Sequence, residues 1–235
     1  MVKPKQISAD DMGQLLGLLV HDLRNPAATI SANVDFLQEV GFADDDSVEA
    51  LQDVRLAMGE LRRGLDLVAW ISRWLSGEVP LEAMNGDVGM FVERLGRSET
   101  SVPMTAEIAR YDQLYAHGAQ VAVEVVELLL RNTRANVSEP HATVRVYQQS
   151  GQVVVEVEDA GEAIAPELRA TAFTLEGQKA LKGRLDGRYS RFVGLFAAAA
   201  VLDGVGGTIE ADGEKGAAVF RIHLPGARPT RPPRD

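Results

Sequence analysis

Apolar residues recur at steps of three or four along the first eighty positions. The first run is Leu16, Leu19, Leu23, Pro26, Ile30, Val34 and Leu37. The second is Leu51, Val54, Met58, Leu61, Leu65 and Val68, spaced 3-4-3-4-3. Such spacing predicts two helices, each with a narrow apolar seam of the coiled-coil type. Ser8 with Asp11, and Asp46 with Glu49, have capping-box spacing and predict the two helix starts. "GFADDDS" interrupts the pattern between them. Two such helices joined by a short loop form an antiparallel hairpin. A lone hairpin buries its seam poorly, so pairing of two hairpins into a four-helix bundle is expected. The chain is therefore expected to be a homodimer through residues ~8–76.

Past "GEVP" (Gly77–Pro80) the texture changes. "QVAVEVVELLLRNTRANV" has a strongly apolar helical face, whereas "ATVRVYQQ" and "QVVVEVEDA" alternate and are rich in valine, as strands are. "QQSG" reads as the hairpin turn between those strands. Ala165 to Leu175 and "FVGLFAAAAVLDG" read as helices, and "GTIEADG" with "AAVFRIHLP" as a closing hairpin. The expected fold class is α+β in two domains. A helical hairpin over 1–76 is followed by a linker over 77–84, an α/β sandwich over 85–225 with a mixed sheet on one side and helices on the other, and a Pro/Arg-rich tail over 226–235 expected to be disordered.

Composition narrows the function. The 235 residues carry a formal charge of -10, which argues against nucleic-acid binding. There is no cysteine, so thiolate catalysis and disulfides are excluded and a cytoplasmic setting is permitted. The longest apolar run, "VGLFAAAAVL", falls short of the ~18 residues a membrane span needs, so no membrane insertion is expected. His117, His141 and His223 lack metal-ligand spacing, and "ADDDS" lacks the calcium-loop pattern. Trp70 and Trp74 are expected to pack at a domain junction.

Candidate chemistry concentrates in "HDLRNP". At about 100° per residue His21 points away from the first seam, with Arg24 and Asn25 one turn on along the same face. Asp22 is adjacent, and Pro26 removes a backbone donor within one turn, so a bend is expected there. A neutral imidazole is a competent nucleophile near neutral pH. A neighbouring carboxylate can take its proton and hold the useful tautomer. An arginine can neutralise an incoming phosphoryl group.

"HDLRNP" resembles the phosphoacceptor box of the bacterial sensor histidine kinases, H-[ED]-x-[RK]-[TN]-P, at all six positions. The resemblance implies that His21 is phosphorylated, that Asp22 is its acid/base partner and that Asn25 assists water attack on a receiver's aspartyl phosphate. The second half is similar to the ATPase domain of the same family. "ELLLRNTRAN" resembles the N box, which implies that Asn132 binds magnesium; Ala135 stands where a cation is usual, beside Arg134. "VEVEDAGEAIAPE" resembles the first glycine box, which implies that Asp159 accepts from the adenine amino group and that Gly161 lets the backbone approach the base. Ala163 replaces the second glycine of that box.

The family's G-x-G-L-G-L falls on "SRFVGL", where Ser190 and Phe192 replace two glycines and Gly194 remains. "GEKGAAVF" resembles the closing G-x-G-T-x-F with Ala217 in place of the hydroxyl residue, and Gly206 and Gly207 keep the usual double glycine. The "LKGRLDGRYSR" segment, with Gly183 and Gly187, could serve as a divergent lid. The resemblance thus implies two-component signalling, with transfer of phosphate from His21 to a response-regulator receiver domain and with ATP and Mg²⁺ as cofactors of a kinase. One alternative is a histidine phosphotransferase or pseudokinase whose ATPase-like domain only docks the regulator. Another is a non-enzymatic interaction module.

Overall fold

The computed structural model describes residues 9–40, 45–75, 85–97, 102–109, 112–182 and 193–228. Ser8, the Gly77–Pro80 linker, most of the lid segment with Gly183 and Gly187, Ser190, Phe192 and the end of the Pro/Arg-rich tail lie outside them. The hairpin consists of α1 (Ala9–Val40) and α2 (Asp45–Leu75). Helix α1 runs uninterrupted across Pro26, whose ring is buried. Helix α2 begins at Asp45, ahead of the expected start, so Asp46 falls within its first turn, where an acidic side chain complements the free amides.

The apolar seams divide in a way the spacing did not specify. Leu15, Leu19, Pro26 and Leu37 of α1 are buried, as are Ala50, Ala57, Gly64, Leu67 and Ile71 of α2. Leu16, Val20 and Val34 are exposed, and so are Val48, Leu51, Met58 and Leu65. The other helix of the hairpin and the sheet domain each cover part of the helix surfaces, and much of each expected seam stays open.

The second domain follows as β1 (Gly86–Asp87), α3 (Val88–Gly96), β2 (Met104–Ile108), β3 (Tyr115–Ala116) and α4 (Ala119–Asn136). Then come β4 (Ala142–Gln149), β5 (Gln152–Asp159), α5 (Pro166–Arg169), α6 (Leu175–Leu181), α7 (Gly194–Gly204), β6 (Thr208–Glu214) and β7 (Ala217–Pro225). Five strands form one mixed sheet in the order β2-β4-β5-β7-β6; β2 runs parallel to β4 and the other neighbours are antiparallel. The β4–β5 turn places Ser150 and Gly151 at φ 50° and 81°, the positive values that a tight two-residue hairpin requires. β1 and β3 form a separate two-stranded pair.

Period-two alternation gives this sheet two unlike faces. Val144, Val157 and Phe220 are cross-strand partners on the inner face, buried against α4 and α7. The next row on the outer face crosses all five strands with alternating charge: Glu107, Arg145, Glu156, Arg221 and Glu210. Arg145 donates to Glu107, Glu156 and Glu158 at 2.9, 2.9 and 2.6 Å. Arg221 donates to Glu156 at 2.7 Å and to Asp212 at 3.1 Å. Opposite charges directly across strands stabilise the pairing register.

Two expectations are revised. The single helix expected over Ala165 to Leu175 is two short helices, because the chain turns at Thr171–Thr174 and Thr174 caps a new helix by accepting from the Gly177 amide at 3.1 Å. The elements β1, α3, β2 and β3 were not legible. β2 is five residues long, largely exposed and confined to the sheet edge, where no strong apolar alternation is needed.

Burial opposes ionisation of Glu156, but its hydrogen bonds from Arg221 and Arg145 hold the carboxyl below its usual range. Asp212 is likewise lowered, first by the Gly213 backbone amide and then by Arg221. A depressed carboxyl pKa contributes stability that is present above the unfolded value and lost as pH falls toward the folded value. Thermal unfolding is therefore expected to be level from pH 7 to roughly 5 and to fall below roughly 4.5. Arg221→Met should lower stability at pH 7 by about 1 kcal/mol and flatten the acid limb.

Candidate functional site

The outer face of α1 carries His21, Arg24 and Asn25, all exposed. His21 has 67% of its side chain in solvent, while Asp22 beside it retains only 11%. Nδ1 of His21 lies 3.0 Å from Asp22 Oδ1. An ionised carboxylate only accepts, so Nδ1 carries the proton and donates, leaving the lone pair on Nε2. Pro26 has no amide hydrogen to offer the Asp22 carbonyl one turn back.

Asp22 is shielded because the second domain reaches it. Lys182, the residue that ends α6, places Nζ 2.5 Å from Asp22 Oδ1. The same carboxylate oxygen thus joins an imidazole of the hairpin to an ammonium of the sheet domain. Helix α6 is held close to the preceding turn by Gly177: a Cβ there would meet the Thr171 carbonyl oxygen at 1.8 Å. Glycine at this position therefore fixes where Lys182 emerges.

An apolar cluster joins the two domains. Leu15 and Leu19 of α1 and Leu67 and Ile71 of α2 pack with Leu175 of α6 and with Val193 and Ala197 at the start of α7. Trp70 touches both this cluster and the core of the sheet domain, as a residue of a domain junction should. Nothing is described of the Trp74 side chain. Val193 has no exposed surface and adopts φ 51°, ψ 38°. The left-handed region is costly for a β-branched side chain, on the order of 1–3 kcal/mol. Complete burial of the valine offsets a comparable amount, roughly 1.5–3 kcal/mol.

The expected nucleotide residues lie on the sheet domain. Asp159 ends the inner row Val153, Val155, Val157 and is flanked across the strands by Ala142 and Ala218, both small enough to leave room for a carboxylate. It is 3% exposed. Thr133 of α4 donates to its Oδ2 at 2.7 Å, and the Gly161 amide donates to its Oδ1 at 2.7 Å. The hydroxyl that reaches Asp159 therefore comes from α4, and the residue opposite Asp159 on the last strand is Ala218. Asn132 Oδ1 accepts from Asn136 at 2.7 Å. Gly194 opens α7 and is buried beside Val193.

These residues fit the two ends of ATP·Mg²⁺ unequally. Asp159 with Gly161 retains the acceptor expected at an adenine amino group, and Asn132 retains an amide oxygen suited to magnesium. Among the described residues the triphosphate end fits less well: Gly194 is buried and Val193 is packed against the hairpin. Among the described residues no cluster of His, Asp and Glu could hold a metal ion by itself. The fold therefore joins His21, Asp22 and Lys182 in one site and Asn132, Thr133, Asp159 and Gly161 in another. Lys182 and Thr133 carried no sequence signal of their own; Lys182 is 160 positions from its partner.

Comparison with known proteins agrees with this architecture. Residues 117–228 match the family described as histidine kinase-, DNA gyrase B-, and HSP90-like ATPase. No curated protein sequence matches the chain. Among solved structures, Acinetobacter baumannii histidine kinase AdeS is similar over 88% of this chain and 98% of that one, at 16% identity and a TM-score of 0.60. Histidine kinase ThkA, solved in complex with response regulator protein TrrA, is similar over 94% of this chain and 64% of that one, at 17% identity and a TM-score of 0.62. Full-length ShkA in complex with AMPPNP is similar over 94% and 47%, at 16% identity and a TM-score of 0.60. No described helix is long and apolar enough to cross a membrane.

Thr133→Val keeps the side-chain shape and removes the hydroxyl from a buried carboxylate. Denaturant unfolding is expected to show a loss of about 1–3 kcal/mol. An unchanged midpoint would mean that Asp159 is satisfied without Thr133.

Proposed function

From a histidine-kinase-type ATPase domain on a histidine-kinase fold, we propose that the chain is a two-component signalling protein that carries phosphate on His21. It exchanges that phosphate with an aspartate of a response-regulator receiver domain. The observation that carries the reading is the exposed imidazole whose Nδ1 is engaged by Asp22. In the transfer step the Nε2 lone pair forms the N–P bond as the acyl–phosphate bond of the receiver breaks. The receiver aspartate leaves as a carboxylate. Asp22 accepts the Nδ1 proton's hydrogen bond and balances the positive charge that develops on the ring. Arg24 on the same face supplies a cation for the phosphoryl oxygens, and Asn25 an amide that can orient the acyl group or a water.

The source of phosphate separates two enzyme readings. A phosphotransferase, loaded by one receiver and discharged to another, is favoured by the burial of Gly194 and Val193. A kinase is favoured by the retention of Asn132, Asp159 and Gly161; bound ATP with Mg²⁺ would supply the phosphoryl group. The purified chain should be given γ-labelled ATP with Mg²⁺, and separately a phosphorylated receiver domain. The expected result is acid-labile label from the receiver, absent in His21→Ala, and none from ATP. Label from ATP that depends on His21 supports the kinase, and label from neither source overturns both.

The same reading includes a homodimer. The open stripes Leu16, Val20 and Val34 on α1 and Leu51, Met58 and Leu65 on α2 suit a second copy of the hairpin. Light scattering should give the mass of two chains. A Met58→Glu/Leu65→Glu double variant should give one, because two charges would be buried without partners.

A further inference from the structure

We propose that Lys182 is a positioning residue of the phosphoacceptor site, acting through Asp22, so that the sheet domain completes a site whose nucleophile belongs to the hairpin. This rests on the reading of His21 as phosphate carrier. An aspartate at a free helix surface samples several rotamers, and its bond to a neighbouring imidazole is weak and intermittent. Asp22 is not in that situation. Its carboxylate is largely withdrawn from water, and its Oδ1 receives both Lys182 Nζ and His21 Nδ1. The ammonium fixes the carboxylate, and the carboxylate fixes the ring with Nδ1 protonated and Nε2 available.

Three features make this a built arrangement. Lys182 is itself mostly buried, with 23% of its side chain exposed, so its charge sits on Asp22 and is not dispersed in solvent. The helix that ends at Lys182 is placed by Gly177 against Thr171 and by Leu175 against the hairpin. The apolar cluster around Val193 holds together the same two elements, α1 and α6, that carry Asp22 and lead to Lys182. Docking and nucleophile geometry are consequently linked: separating the domains withdraws the Lys182 ammonium from Asp22.

The linkage predicts a specific pattern among variants of the full chain. Lys182→Met keeps most of the apolar stem and removes the charge, Lys182→Arg keeps the charge, and Asp22→Asn removes the acceptor charge. His21 is one of four histidines, and its ring signals can be assigned by comparison with His21→Ala in ¹⁵N-histidine-labelled protein. In the wild-type chain at pH 8 the ring should be mainly the Nδ1–H tautomer. Lys182→Met and Asp22→Asn should both move it toward a mixture of tautomers, and Lys182→Arg should restore it.

Phosphorylation of His21 by phosphoramidate, which transfers its phosphoryl group to Nε2 and releases ammonia, should slow on the order of tenfold or more in Lys182→Met and recover in Lys182→Arg. Unfolding midpoints of the variants confirm that they are folded. An unchanged tautomer in Lys182→Met would overturn the proposal, as would a rate that Lys182→Arg fails to restore. If no variant, wild type included, is phosphorylated while the tautomer still responds to Lys182, the assignment of His21 as phosphate carrier fails and the positioning link stands.

Discussion

The apolar junction between the hairpin and the sheet domain is the contact on which the rest of the arrangement depends. Leu15, Leu19, Leu67 and Ile71 meet Leu175, Val193 and Ala197 with little or no exposed surface. Removing such side chains from water stabilises by roughly 1.5–3 kcal/mol each. That is enough to hold Val193 in a left-handed conformation and to keep Lys182 within reach of Asp22. The junction also decides what the start of α7 can do. A helix N-terminus open to solvent is a ready anion site. Here it lies against another domain, and Gly194 is buried.

Two carboxylates of this molecule, Asp159 buried and Asp22 largely withdrawn from water, have opposite surroundings. Asp159 is held by neutral donors, a threonine hydroxyl and a backbone amide, inside one domain. Asp22 is held by an ammonium and an imidazole at a boundary between domains. The first arrangement anchors the end of β5 to α4 and is insensitive to how the domains sit. The second exists only when they are docked.

Much of the architecture was legible because it rests on periodicity. The hairpin, α4, the β4–β5 hairpin, α7 and the β6–β7 hairpin follow from 3-4 and 2 spacings, and Ser150–Gly151 marks its turn. The break at Thr171–Thr174 was not legible, because an isolated threonine cap competes with an apolar run that reads as one helix. The edge strand β2 and the two-residue strands were not legible either, since their pairing is set by partners far along the chain. The charge row Glu107–Arg145–Glu156–Arg221–Glu210 is visible only once the register of five strands is known.

The sequence by itself determined that "HDLRNP" lies on a helix with His21 exposed. His21, Arg24 and Asn25 face outward because the same helix turns Leu19 and Pro26 inward. It also determined that "QVVVEVEDA" would form a strand. Tertiary structure alone decided which residues of the hairpin are covered, that Thr133 donates to Asp159, and that Lys182 reaches Asp22. The physical reason is the range of the interactions. Helix and strand periods are local and written in neighbouring residues, whereas an ion pair spanning 160 positions exists only because apolar burial at the junction brings its two ends together.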